Sequence, residues 1–222
     1  MALRQTEKLY QNRGNRITVD PAIEPVTLAE MKTQLRIDGT DDDDFLTAAI
    51  SEARQEIEDL TGLTFITQSW QLTIDRWPTG REPWWDGVKQ GHIDTLSGPN
   101  RSLELPRYPL QSITSVTTYD EAGNSTAITV ATTFDVDTQQ MPGRMTLQSG
   151  ASWPTALRAN NAIEVVYVAG YGDAASDVPA PLKRAIKSVV AYIYSHRGDD
   201  CDMSDALAAV SATIDRYKVR KI

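Results

Sequence analysis

The hydrophobic period of this chain changes twice, and that change constrains its fold more than any other feature. Before residue 62 apolar residues recur at helical spacing, with Phe45, Leu46, Ala49, Ile50, Ala53, Ile57 and Leu60 forming one stripe. The period then drops to two, as Trp70, Leu72 and Ile74 alternate with Gln71, Thr73 and Asp75. Helical spacing returns after Pro181 in Leu182, Ile186, Val189, Val190, Ile193 and Tyr194. Helices, strands and helices in that order predict an α+β fold. Its N-terminal and C-terminal helices pack together as one domain, with an antiparallel β domain inserted between them.

Local signals set the expected boundaries. Residues 1–24 are polar and aperiodic and read as an extended N-terminal arm. Thr27 and Glu30 form a capping-box pattern that opens a short helix to Ile37, which Asp38-Gly39-Thr40 breaks. A second helix is expected over 41–61, with Asp41–Asp44 in its first turn, where negative charge complements the helix dipole, and Gly62 as its stop. The helical domain therefore takes residues 25–62 and 179–198, and Pro181 suits the first turn of its last helix. Residues 63–178 form the β domain, with strand-like runs at 102–105, 112–119, 126–130, 134–137, 144–147 and 162–169. Short strands at this spacing predict a sandwich or a small barrel. Residues 78–101 read as a long loop carrying Trp84-Trp85. Residues 199–222 are expected to hold one last helix, from about Ser204, and a basic tail.

Charge is distributed unevenly. The first twenty residues net +2 and the last seven net +4, which leaves −14 on the body of a chain whose total is −8. An acidic body does not grip DNA, because nucleic-acid affinity rests on cations that neutralise phosphates. No apolar run approaches the roughly 20 residues of a membrane span, and the N-terminus lacks the apolar stretch of a secretory signal. Cys201 is the single cysteine, which forbids an internal disulfide and fits a reducing compartment.

Motifs that carry chemistry fail on spacing. Gly170-Tyr171-Gly172-Asp173-Ala174-Ala175 matches a dinucleotide fingerprint, but Ser176–Pro181 separates it from the next helix, whose N-terminus would have to meet a pyrophosphate. A calcium loop counted from Asp41 places Phe45 and Leu46 at its fifth and sixth positions, where a ligand and a glycine are needed. His92 and His196 with one cysteine make no standard zinc set, and the acids flanking Cys201 disfavour its thiolate. No G-x-S-x-G occurs. The expectation is no catalytic residue, no cofactor and no metal. A carboxylate pair, which sequence spacing does not reveal, keeps a particle-associated hydrolase as an alternative. Trp84-Trp85 keeps a glycan-binding module as another, although tryptophan more often anchors interfaces.

Several segments together resemble a known family. They are Val26–Asp38, Asp41–Asp44 with Leu46, Ile50, Ala53, Arg54, Ile57 and Glu58, then Thr67–Trp70, Leu105–Ile113, Val168–Gly172 and Val178-Pro179 with Leu182-Lys183. In this order they look like phage head–tail connector (adaptor) proteins. They are similar in particular to the larger branch described as possible DNA-packaging proteins, which also occurs in gene transfer agents. The resemblance spans about residues 25–197. It implies a virion protein of the neck, assembled in the host bacterial cytoplasm, that forms a homo-oligomeric ring, typically a dodecamer. Such a ring sits beneath the portal protein, meets a tail-completion or stopper protein, and lets DNA pass without specific binding and without a membrane.

Two interfaces are expected. Trp84 and Trp85 contact a neighbouring subunit or a tail protein. Leu207, Val210, Ile214 and Tyr217 form an apolar stripe on the last helix, followed by Arg216, Lys218, Arg220 and Lys221. A stripe with a basic end suits insertion into a partner's groove, and the resemblance supplies the portal as that partner.

Overall fold

The computed structural model of the chain describes residues 13–77, 102–197 and 203–218. Its elements follow in the order β1 (Arg13–Val19), α1 (Leu28–Leu35), α2 (Asp43–Thr61), β2 (Gln68–Ile74), β3 (Ser102–Glu104), β4 (Leu110–Tyr119), β5 (Ser125–Ile128), α3 (Val130–Thr133), β6 (Phe134–Asp137), β7 (Arg144–Leu147), β8 (Ile163–Ala169), α4 (Ala180–Ser195), α5 (Met203–Ala208) and α6 (Ser211–Tyr217). They fall into two compact units. One combines Met1–Thr18, Ser69–Pro106 and Leu110–Val168; the other combines Val19–Gln68, Arg107–Pro109 and Ala169–Ile222.

The β unit contains a five-stranded sheet in the order β1-β2-β8-β4-β5 and a three-stranded sheet in the order β3-β7-β6. Alternation sets each register. β4 and β5 pair antiparallel with Val116 opposite Ile128, and Asp120 closes their turn by accepting the Asn124 N–H at 2.8 Å. In the smaller sheet β7 lies antiparallel to both neighbours, so Met145 faces Leu103 on one side and Val136 on the other. Ile163, Val165 and Tyr167 of β8 are fully buried at alternate positions, as a half-buried strand requires. Trp77 stacks on Trp153 with ring centroids 4.3 Å apart, and both lie against Phe134.

Residues 13–19 form an edge strand, where the sequence reads as part of an arm. The segment has no hydrophobic alternation to betray it, because it is held by sheet pairing and polar contacts. Arg16 donates to Gln71 Oε1 at 2.7 and 3.1 Å, and Asn15 accepts from the Tyr167 hydroxyl at 3.0 Å.

In the helical unit α1 opens on the expected capping box. The Glu30 N–H donates to Thr27 Oγ1 and the Thr27 N–H donates to Glu30 Oε2, both at 3.2 Å. The stripes of α2 and α4 close on each other, burying Leu46, Ile50 and Ile57 against Leu182, Ile186 and Val189 in one core. Each such side chain contributes about 1.5–3 kcal/mol on burial. Tyr194, near the end of α4, bonds to Asp42 at the start of α2, so the two helices run antiparallel.

The C-terminal segment is two short helices rather than one. The chain breaks at Ala209-Val210, and the Ser211 hydroxyl donates to the freed Ala208 carbonyl at 2.8 Å. The break keeps Ala206, Val210 and Ile214 all facing the core of the helical unit.

The Gly170–Gly172 motif serves a close chain crossing. Gly170 has φ +144°, and a Cβ there would lie 2.7 Å from the Thr67 backbone nitrogen. The Thr67 N–H donates to the Gly172 carbonyl at 3.0 Å, and the Tyr171 N–H to Phe65 at 3.1 Å. Asp177, which would collide with a Cβ on Gly172, instead accepts the Ala174 N–H at 3.0 Å. Gly170→Ala is expected to cost about 2 kcal/mol or more, through strain at positive φ and displaced backbone, as measured by urea denaturation.

Candidate functional site: the end of α2 and the C-terminal helices

The last turn of α2 carries a buried ion pair that gathers three distant segments. Arg54 and Glu58 are each 3% exposed. Arg54 donates to Glu58 Oε2 and to Glu24 Oε2, both at 2.8 Å. Glu58 Oε1 accepts the Phe65 N–H at 2.6 Å, and Gln68 Nε2 reaches both carboxylate oxygens at 3.3 and 3.4 Å. Arg107 donates to the Glu58 carbonyl at 2.9 Å and to the Asp59 carboxylate. The Tyr108 hydroxyl donates to the Thr61 carbonyl, while the Tyr108 carbonyl accepts the Thr64 N–H at 2.8 Å. Gly62, in the left-handed region at φ +76°, leaves room for the Tyr108 ring. The Gly170 N–H completes the arrangement by donating to Pro109 at 2.9 Å.

Burial pushes the Glu58 carboxyl above its usual range, an effect only partly countered by Arg54 and by the bonds from Phe65 and Gln68. Burial alone would depress Arg54, but Glu24 and Glu58 outweigh it and hold the guanidinium charged. Both carboxylate oxygens of Glu58 are occupied by donors within the protein. The arrangement fixes backbone, and it presents no open position at which a substrate could meet a carboxylate.

A second cluster fastens the other end of the same helix pair. Asp42 accepts from the Tyr194 hydroxyl and from Arg197 Nη1, both at 2.7 Å. The Tyr194 ring lies 6.1 Å from Phe45, and Arg197 stacks over it at 4.3 Å. The hydrogen bonds from Tyr194 and Arg197 hold the Asp42 carboxyl below its ordinary value. Among the described residues no group of three or more His, Cys, Asp or Glu side chains could hold a metal ion. No helix among them is long and apolar enough to cross a membrane.

The stripe expected to dock on a partner is closed against the chain's own core. Val210 is 8% and Ile214 2% exposed, Leu207 and Tyr217 are half-buried beside them, and Ala206 is buried with them. Arg216 and Lys218 are exposed, and Lys218 pairs with Asp215 at 3.0 Å. Trp84, Trp85, Arg220 and Lys221 lie outside the described residues. Sequence reasoning missed the site around Glu58. Its signal was present in the resembling segments, since Gln68, Arg107–Pro109 and Gly170–Gly172 all converge there.

Comparison with known proteins finds a match to part of one family model and a shared fold. Residues 25–128 match the model of the phage gp6-like head-tail connector protein family. Over 94% of its length the chain superposes on 97% of a chain from the neck of an empty gene transfer agent particle computed with C6 symmetry, with TM-score 0.72 and 20% identity. A chain of the virion of a native gene transfer agent particle aligns with TM-score 0.70 and 21% identity, covering 94% of this chain and 96% of that one. A chain of the native particle's neck, computed with C12 symmetry, gives 0.66 and 20%, covering 93% and 97%. What is shared with these three at such identity is the fold. No curated protein matches the chain.

Two tests follow from the electrostatics. Glu58→Ala leaves Arg54 short of a buried partner and is expected to cost about 3–5 kcal/mol by chemical denaturation. Glu58→Gln isolates the titration. Because the folded carboxyl sits above the ordinary 4.5, the wild-type Glu58 contribution to stability is largest at low pH and declines as pH rises from 4.5 through the folded value. That decline is expected to vanish in the glutamine variant. Asp42 has the opposite sign: its contribution is present above 3.8 and lost as pH falls through its depressed value. Tyr194→Phe removes the larger of the two causes, so an NMR titration is expected to show the Asp42 carboxyl moving up toward the ordinary range.

Proposed function

We propose that this chain is a structural head–tail connector subunit of a tailed phage or phage-like particle. Copies form a ring beneath the portal, join the capsid vertex to the tail and line the DNA channel. The observation that carries this reading is the family match over residues 25–128, on a fold that follows neck chains of gene transfer agent particles along nearly its whole length. A ring of twelve copies agrees with the C12 symmetry used for one of those necks. A ring of identical subunits needs heterologous contacts that close by rotation. A body that nets −14 does not hold sliding DNA by its phosphates. The role is mechanical and needs no cofactor. A tail-completion or stopper protein meets the ring on its far side.

Portal contact by residues 204–222 takes a narrower form than the sequence suggests. With Leu207, Val210, Ile214 and Tyr217 held at home, the surface offered to the portal is the exposed cations Arg216 and Lys218, which Arg220 and Lys221 follow in the sequence. Reversing Arg216 and Lys218 to glutamate is expected to leave the melting temperature near wild type, because exposed pairs contribute little. The same change is expected to weaken co-sedimentation with purified portal rings by about tenfold, roughly 1.4 kcal/mol. Wild-type binding by that variant would remove the basic end from the interface.

A further inference from the structure

The two central helices of the helical unit segregate their outward charge by sign. Asp44, Glu52, Glu56 and Asp59 are exposed on α2, whose single cation, Arg54, is buried. α4 carries no acidic residue and three cations, the exposed Arg184 and the half-buried Lys183 and Lys187, of which Lys183 also donates to the Ala175 carbonyl at 3.0 Å. Each set is contiguous on its helix surface, since Glu52, Glu56 and Asp59 follow at spacings of four and three, and Lys187 follows Lys183 and Arg184 at four and three.

Local helix physics does not explain these positions. The macrodipole favours cations at a helix C-terminus and anions at an N-terminus, each by about 0.3–1 kcal/mol. Here Glu56 and Asp59 lie near the C-terminal end of α2, and Lys183 and Arg184 near the N-terminal end of α4. Among the described residues Asp44, Glu52, Glu56 and Arg184 have no ion-pair partner, although Lys187 stands 3.7 Å from Glu30.

The geometry decides what can cover both faces. α2 and α4 bury their stripes on each other, so their outer faces point in opposite directions. They run antiparallel, so the anionic end of α2 and the cationic end of α4 lie at the same end of the unit. Complementary patches at one level on opposite sides are what a second copy needs to add by rotation without translation, the condition for a closed ring rather than a filament. The α2 face also exposes Phe45 and Leu60, at 38% and 42%, as apolar anchors beside the charges.

We infer that within the ring the acidic outer face of α2 in one copy packs against the basic outer face of α4 in the next. This rests on the connector reading. The charges supply register and orientation, and the apolar residues supply buried area.

A charge swap in the full-length chain tests it, in a producer strain whose own copy of the gene is deleted and replaced by each variant. Glu52→Lys with Glu56→Lys, or Arg184→Glu with Lys187→Glu, is expected to lower the amount of this chain in purified particles at least about tenfold. Each purified variant keeps a cooperative melting transition, lowered in the Lys187→Glu variants only by loss of the half-exposed pair with Glu30, worth about 1 kcal/mol or less. The four changes combined rebuild complementarity with reversed sign and are expected to restore incorporation to within about threefold of wild type. Incorporation of either single-face reversal at the wild-type level overturns the inference and leaves the connector reading standing. Loss in both without rescue in the combined variant also overturns it, because it shows that the faces matter but do not meet each other. Absence of the wild-type chain from the particles would instead overturn the connector reading, and this inference with it.

Discussion

The Arg54–Glu58 pair is the constraint on which the helical unit depends. It is buried, so each partner is acceptable only while its hydrogen bonds are made. Glu58 accepts from the Phe65 N–H and the Gln68 amide, and Arg54 donates to Glu24, so the buried pair is fully bonded only when the chain before α1 and the chain after α2 are both in place. Arg107 and Tyr108 then bind the last carbonyls of α2, groups that every helix end leaves unsatisfied. One helix terminus thereby fixes the paths of three segments far apart in sequence. Replacing such a pair by apolar residues need not destabilise a protein, and its use here is best understood as specifying a single arrangement of crossing chains.

That arrangement is what the connector role proposed above asks of a subunit. A connector must hold its neighbours in fixed register while DNA moves past it. The means are a buried polar knot at one end of the α2–α4 pair, the Asp42–Tyr194–Arg197 clasp at the other, and an apolar core between them that α5 and α6 cover. Both clusters bind their charges internally. The charges left over on the outer faces of α2 and α4 remain available to other chains.

Much of the fold was legible because it is written in periodicity. The stripes of α2 and α4, the alternation of β2 and β8, and the Thr27–Glu30 box each state their element through local physics. β1 was not legible, since edge pairing is made by backbone and leaves no hydrophobic pattern. The C-terminal segment reads in sequence as one helix with an apolar side and folds as two short ones. The hydrophobic pattern alone does not say whether such a stripe meets its own core or a partner, and Ala206, Val210 and Ile214 meet their own core. Glu58 looked like one more acid on a helix rich in acids. Its partners lie 7, 10 and 49 residues away, and tertiary proximity of that kind is not encoded in spacing. Gly170-Tyr171-Gly172 imitated a phosphate loop because close backbone approach calls for glycine whatever it approaches.

The central claim is that this fold serves as one subunit of a neck ring. Electron cryo-microscopy of the particle's neck, refined without imposed symmetry, tests it most directly. The account predicts a closed ring of twelve copies of this chain between portal and tail, with the Arg54–Glu58 knot intact in every copy. A neck in which the chain is absent, or present as an isolated closed dimer away from the channel axis, would contradict it.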